Sequence, residues 1–342
     1  MLKQFFPWLA SVLLAFQAEA GGVALSRDAA TGSRVVIASD ANATIAFQPQ
    51  LEKVRALFEE GFAQFSGKTN LTEAWQKLVS TNDVIGIKVY SAPGPTSGTR
   101  PSVVAATVES LLKAGISPQK IIIWDKELID LRLAGFDELT TRYKIGLAAS
   151  SSAGYDEKTF YENPLIGHLI WGDTEFQKKG NDLGRKSFVT KLLSQEITKV
   201  ITISPLLNHN TAGTAGNLYS LGLGSVDNTH RFEPASRLAA ALPEIYALRS
   251  LSDKVVLNIT DALIAQYQGE QRSLLHYSIA LNEIWFSKDP VALDILAIAE
   301  LNRQREAAKF PPMKSLMEIY ENASLLELGV SDLKSIRIER VP

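Results

Sequence analysis

Six short, nearly unbroken apolar runs punctuate the chain: Arg34–Ser39, Asp83–Val89, Lys120–Trp124, Lys199–Ser204, Lys254–Thr260 and Glu283–Ser287. Runs of this length without polar alternation suit strands of a sheet covered on both faces. Between them the apolar residues recur at helical spacing. Leu51, Val54, Leu57 and Phe62 mark a helix over Gln50–Phe65, Leu71–Val79 a shorter one, and Val103–Ala114 a third, closed by Gly115. Asp83–Val89, the Gly/Pro/Ser/Thr loop Ser91–Pro101, this third helix and Lys120–Trp124 together read as a βαβ crossover, which demands a parallel strand pair. Asp289-Pro290 has the form of an N-cap followed by a first-turn proline, so a long helix should start there. Residues 145–195 are mixed and polar, with a hairpin expected near Leu165–Trp171. The expected fold is α/β: a mostly parallel open sheet with helices on both faces and an inserted mixed segment around 145–195.

Composition narrows the setting. Residues 1–20 combine Lys3, an apolar stretch from Phe5 to Phe16, and Ala18-Glu19-Ala20 ahead of Gly21. That is the layout of a cleavable signal peptide, too short in its apolar part to span a bilayer comfortably. The expectation is an exported protein, periplasmic in a Gram-negative source, with residues 21–342 as a single α/β domain and no stable membrane insertion after cleavage. The chain contains no cysteine, so disulfides, a thiolate nucleophile and a cysteine-ligated iron–sulfur cluster are excluded. A net charge of −2 gives no field that would draw nucleic acid.

Candidate chemistry follows from what stands at the strand ends, because ligands of open α/β sheets sit beyond the carboxyl ends of the strands. The loop 91–102 runs into a helix N-terminus, where free amides favour an anion; Thr99 offers a hydroxyl and Arg100 a fixed fork for a carboxylate or phosphate. Thr99 or Ser102 alternatively caps that helix. The segment 205–228 gathers Asn208, His209, Asn210 and Asn217 among glycines, so that the backbone can approach a ligand. His209 is a candidate acid/base or metal ligand, and His230 a weaker one; His168 and His276 lie outside strand-end loops and read as structural. Lys88 and Asp125 are candidate catalytic residues, and Asp261 could complete a divalent metal site with His209. Asp289 reads as a helix cap. Walker, HExxH, GxSxG and dinucleotide fingerprints are absent.

The chain resembles the uncharacterised family called "domain of unknown function 362". The resemblance rests on Val84–Val89, Ile122–Asp125 with Leu131–Phe136, Pro205–Gly213, Leu221–Ser225, Asp261–Leu263 and Lys288–Asp294, in that order from about 84 to 294. It implies no settled activity. Many members carry export signals, and some carry iron–sulfur motifs that this chain cannot form. Similar members have a lysine leading to the His209 position and a Lys-Asn pair further on, where this sequence has Leu207-Asn208 and Tyr219-Ser220. Two functions are therefore weighed: a metal- or His209-dependent enzyme acting on a small anionic metabolite, and a non-catalytic periplasmic binding or accessory protein using the same crevice.

Overall fold

The computed structural model describes residues 33–163, 185–232 and 234–341. The signal-like segment 1–20, the hairpin expected near Leu165–Trp171 and His168 lie outside the described residues.

Eight strands make the path of the main sheet: β1 (Ser33–Ser39), β2 (Ile85–Val89), β3 (Ile121–Asp125), β4 (Gly146–Ala149), β5 (Lys199–His209), β6 (Val255–Gln266), β7 (Ser278–Ser287) and β8 (Ile336–Val341). Their spatial order is β8-β1-β7-β6-β5-β2-β3-β4, and the short strand Gly213–Thr214 folds back on β5. Pairing is parallel along β6, β5, β2, β3 and β4, and β8 is parallel to β1. Antiparallel pairing on both sides of β7 makes it the one reversed strand of this path. The fold is the mostly parallel α/β arrangement that the apolar runs imply.

Side-chain alternation puts a separate core on each face. On β1, Val36 and Ala38 join Ile85, Ile87, Ile121, Ile123, Ile201 and Ile203 beneath helices α1 (Leu51–Ser66) and α2 (Pro101–Lys113). Their neighbours Val35 and Ile37 point the other way, with Ile122, Trp124 and Val200, against α3 (Asn217–Gly224), Ala235–Tyr246 and α4 (Pro290–Ala307). Two buried faces explain why the strands read as continuous apolar runs. Asp289 caps α4, its carboxylate accepting from the Ala292 N–H at 2.8 Å with Pro290 in the first turn, as the sequence indicates.

Three boundaries differ from expectation. β5 and β6 do not stop at Ser204 and Thr260 but continue to His209 and Gln266. Pro205 is tolerated inside β5 because the β2 ladder ends at the Val89–Ile203 pair, so no strand on that side needs its missing N–H. Gly146–Ala149 is an edge strand of the main sheet and not part of the insertion, whose described residues include the antiparallel pair Tyr155–Glu162 and Lys186–Thr190.

Candidate binding site

From β2 the chain winds outward through β3 and β4; it then returns to the other side of β2 as β5 and continues through β6. The two windings diverge between β2 and β5, and the carboxyl ends of those strands open the crevice where such folds take ligands. Tyr90 and Ser91 leave β2 there, Asn208 and His209 end β5, and the first turns of α3 bring Tyr219 and Ser220 over both. The 267–277 connection between β6 and β7 forms the remaining wall.

Most charged residues at this end of the sheet are committed to one another. Lys88 is completely buried, and its ammonium donates to Asp125 Oδ1 at 2.8 Å, Val89 O at 2.7 Å and Ser220 Oγ at 3.0 Å. Those three bonds use every proton the group has. Asp125 Oδ1 also accepts from the Lys126 N–H, and Oδ2 from both the N–H and hydroxyl of Ser91 at 2.7 Å. Burial pulls the Lys88 ammonium below its ordinary range, against the raising effect of Asp125. The pair ties β2, β3 and α3 together, and neither of these expected catalytic residues keeps an open hydrogen-bonding position.

Arg100 and Asp261 behave in the same way. Arg100 Nη1 donates to Asp261 Oδ1 at 3.0 Å, its main-chain N–H to Oδ2 at 2.8 Å, and Nη2 to Thr96 O and Ile264 O. Asp261 sits at the bulge of β6, where Leu263 N–H also reaches its carboxylate. The anion beside the start of α2 is thus a carboxylate of the chain itself, which corrects the reading of Arg100 as the anion fork. Thr99 is likewise engaged: its hydroxyl donates to Ile203 O at 2.6 Å and accepts from Tyr90 N–H at 2.9 Å, so it does not cap the helix. Asn217 is held by Thr202, which donates to its Oδ1 at 2.7 Å, and by Asp294, whose Oδ1 accepts the Asn217 N–H at 2.7 Å. Asp294 Oδ2 accepts the Leu218 N–H at 2.9 Å, so this buried carboxylate closes the N-terminus of α3. Burial pushes its pKa up to about 7 despite those N–H donors.

His209 is different. Its Nδ1 accepts the main-chain N–H groups of Thr211 at 3.2 Å and Ala212 at 3.0 Å. A nitrogen that accepts two donors carries no proton, so the neutral ring bears its hydrogen on Nε2. Burial lowers the His209 pKa, with Glu270 opposing, and the ring stays neutral at physiological pH. It packs on Tyr219 with centroids 4.3 Å apart, and Tyr219 meets Tyr90 edge-on at 6.3 Å. Burial, helped by Glu270, pushes the Tyr219 hydroxyl up to about 12. His209, Gly269, Glu270, Gln271 and Arg272 line an open pocket of about 300 Å3, at the small end of the range for metabolite sites. The Glu270 carboxylate accepts the Asn210 N–H at 2.7 Å, and Gln271 donates to the Tyr90 hydroxyl at 2.7 Å. Asn208 Oδ1 accepts the Glu270 N–H at 3.1 Å, while its buried Nδ2 has no partner among the described residues.

This geometry argues against a metal on His209. Coordination through Nε2 would require a neutral ring protonated on Nδ1, facing two N–H donors. Asp261, its expected co-ligand, pairs in register with Pro205, four residues before His209 on β5, and its carboxylate is taken by Arg100. Among the described residues no three His, Asp or Glu side chains gather as a metal ion requires. His230 and His276 are exposed, the latter against the Tyr277 ring. The sequence reading missed Tyr90 and the Glu270–Arg272 turn. The available signal was the polar, glycine-containing break at 268–273 between two strand-like runs.

The family model described as "Domain of unknown function (DUF362)" matches residues 85–299, and the chain belongs to that family. It is also similar to the crystal structure of a protein from Thermotoga maritima, a Northeast Structural Genomics Consortium target, at 11% identity and a TM-score of 0.42. That similarity covers 77% of this chain and spans 60% of the other protein's length. No curated protein matches the chain. Among the described residues no helix is long and apolar enough to cross a membrane.

Proposed function

We propose that this member of the DUF362 family binds a small carboxylate-bearing metabolite in the pocket between the end of β5 and the 267–277 connection. One observation carries the reading: Nδ1 of His209 is occupied by two main-chain donors, so Nε2 presents a proton in a pocket that Arg272 and Gln271 also line. A neutral imidazole N–H beside a guanidinium supplies two kinds of donor to one carboxylate. The commitment of Lys88, Asp125, Arg100 and Asp261 to buried pairs supports binding over catalysis by those residues.

The experiment is a thermal-shift and calorimetric titration of the mature protein with succinate, citrate and inorganic phosphate. A carboxylate at a hundred times its Kd should raise Tm by about 4 °C, because it adds about 2.7 kcal/mol to the folded state. Arg272→Ala should remove most of that rise. Equal responses of the wild type and Arg272→Ala, or a response to phosphate alone, would exclude the carboxylate assignment.

A His209-dependent enzyme uses the same site. The protonated Nε2 favours a role in polarising a carbonyl or donating a proton, not in abstracting one. Turnover of a bound carboxylate that is lost in His209→Phe would establish it. We further propose export, supported by the signal-like layout of residues 1–20. Periplasmic protein with Gly21 at its N-terminus is the expected result of N-terminal sequencing, and intact Met1 in that fraction would refute cleavage.

A further inference from the structure

The pocket walls carry opposite charges that do not neutralise each other. Glu270 and Arg272 both line it, two residues apart in one turn, yet they form no ion pair with each other or with any other described residue. Their shared turn is braced from beneath. Gln266, itself buried, donates through Nε2 to Glu270 O at 3.1 Å and Arg272 O at 2.9 Å, and its Oε1 accepts from the Leu274 N–H and the Ser97 hydroxyl.

Glu270 is fixed at both ends. Its main chain takes a left-handed conformation with φ 53°, which a glutamate adopts at a cost, and its N–H is held by Asn208. Oε1 accepts the Asn210 N–H, and among the described residues no hydrogen bond engages Oε2. Among the described residues Arg272 makes only one long side-chain hydrogen bond, from Nε to Gly269 O at 3.5 Å, so its guanidinium is available. Behind this pocket Tyr90, Leu207, Ala215 and Tyr219 form a small apolar cluster, joined to the pocket where Tyr219 packs on His209 and where Gln271 donates to the Tyr90 hydroxyl.

A purely anionic ligand would meet the fixed Glu270 carboxylate unfavourably, and a cation would meet Arg272. A molecule bearing both charges a few ångströms apart satisfies the two. We propose that the ligand is a small amino-acid-like zwitterion, its carboxylate held by Arg272 and the Nε2–H of His209 and its ammonium by Glu270. This rests on the carboxylate reading above and narrows it to one chemical class.

The test is calorimetric titration of the mature chain with three amino acids and their deaminated counterparts: glycine against acetate, L-leucine against 4-methylpentanoate, and L-phenylalanine against 3-phenylpropanoate. At least one amino acid should bind about tenfold or more tightly than its deaminated partner, the scale of one charge-assisted hydrogen bond. Glu270→Gln keeps the Oε1 acceptor for Asn210 and removes only the charge, so it should abolish that preference by weakening the amino acids and strengthening their deaminated counterparts. Equal affinity for the two series, or a preference that survives Glu270→Gln, overturns the zwitterion and leaves the carboxylate site standing. Failure of both series to bind removes the carboxylate reading with it. Circular dichroism of each variant establishes that a lost signal is not lost structure.

Discussion

Asp125→Asn isolates the claim that the Lys88–Asp125 pair is scaffold. The carboxylate accepts four hydrogen bonds, from Lys88 Nζ, Lys126 N, Ser91 N and Ser91 Oγ. An amide keeps one oxygen and turns the other position into a donor, so whichever way it is flipped it faces donors on one side. It also leaves the Lys88 ammonium, completely buried, without a counter-charge. Removing one partner of a buried pair costs about 3–5 kcal/mol. For 342 residues, an unfolding entropy on the order of 0.7 kcal/mol/K converts this into a Tm lower by about 4–7 °C. Lys88→Met combined with Asp125→Asn removes both charges and should recover about 2 kcal/mol relative to the sum of the single variants. The pH dependence carries a sign. Burial already lowers the Lys88 pKa, and without Asp125 it falls further. The unfolded variant then binds more protons than the folded one below the ordinary lysine pKa, so the deficit against wild type should shrink as pH rises toward 10. Urea unfolding monitored by tryptophan fluorescence measures all three quantities. A loss under 1 kcal/mol, or strict additivity of the two substitutions, would mean that the pair does not hold the strands together.

Two further outcomes follow from the same polar framework. Asp294, raised to about 7 by burial, holds its proton in the folded chain at pH values where the unfolded chain, near 3.8, has lost it. Its contribution to stability is present below about pH 4 and lost as pH rises to about 7, so Asp294→Asn should flatten the fall in urea midpoint between pH 4 and 7; an unchanged slope would clear Asp294 of the effect. Gly224→Ala places a methyl 2.5 Å from Lys88 Cε and 2.8 Å from Nζ, and should cost about 1–3 kcal/mol by thermal unfolding; a neutral effect would mean that α3 moves freely over the pair.

The apolar runs carried most of the fold because both faces of the sheet are buried, and six of its strands announce themselves by that alone. Gly146–Ala149 and Ile336–Val341 did not, since edge strands need less apolar surface and the latter leaves Arg337 and Ile338 exposed. The strand-end rule located Lys88, Arg100, Asp125, His209 and Asp261 at the correct end of the sheet. It could not say which would pair. Arg100 meets Asp261 across 161 residues and Lys88 meets Asp125 across 37, and no local pattern records either contact. Those charges meet one another in the folded chain, and the open guanidinium belongs to a turn, Gly269–Arg272, whose place depends on where a hairpin ends. The position of His209 at a strand end was legible. Its protonation was not, because that is set by two main-chain N–H groups that meet Nδ1 only in the folded loop.

Nitrogen-15 NMR of histidine-labelled protein reads both the His209 tautomer and its response to ligand, and with four histidines in the chain the assignment needs only single substitutions. His209 should appear near neutral pH as the tautomer protonated on Nε2, with Nδ1 as the bare acceptor. Its Nε2 resonance should move when a binding amino acid is added, and that movement should disappear in Arg272→Ala. A proton found on Nδ1, or a His209 signal that no amino acid or carboxylate perturbs, would contradict the account.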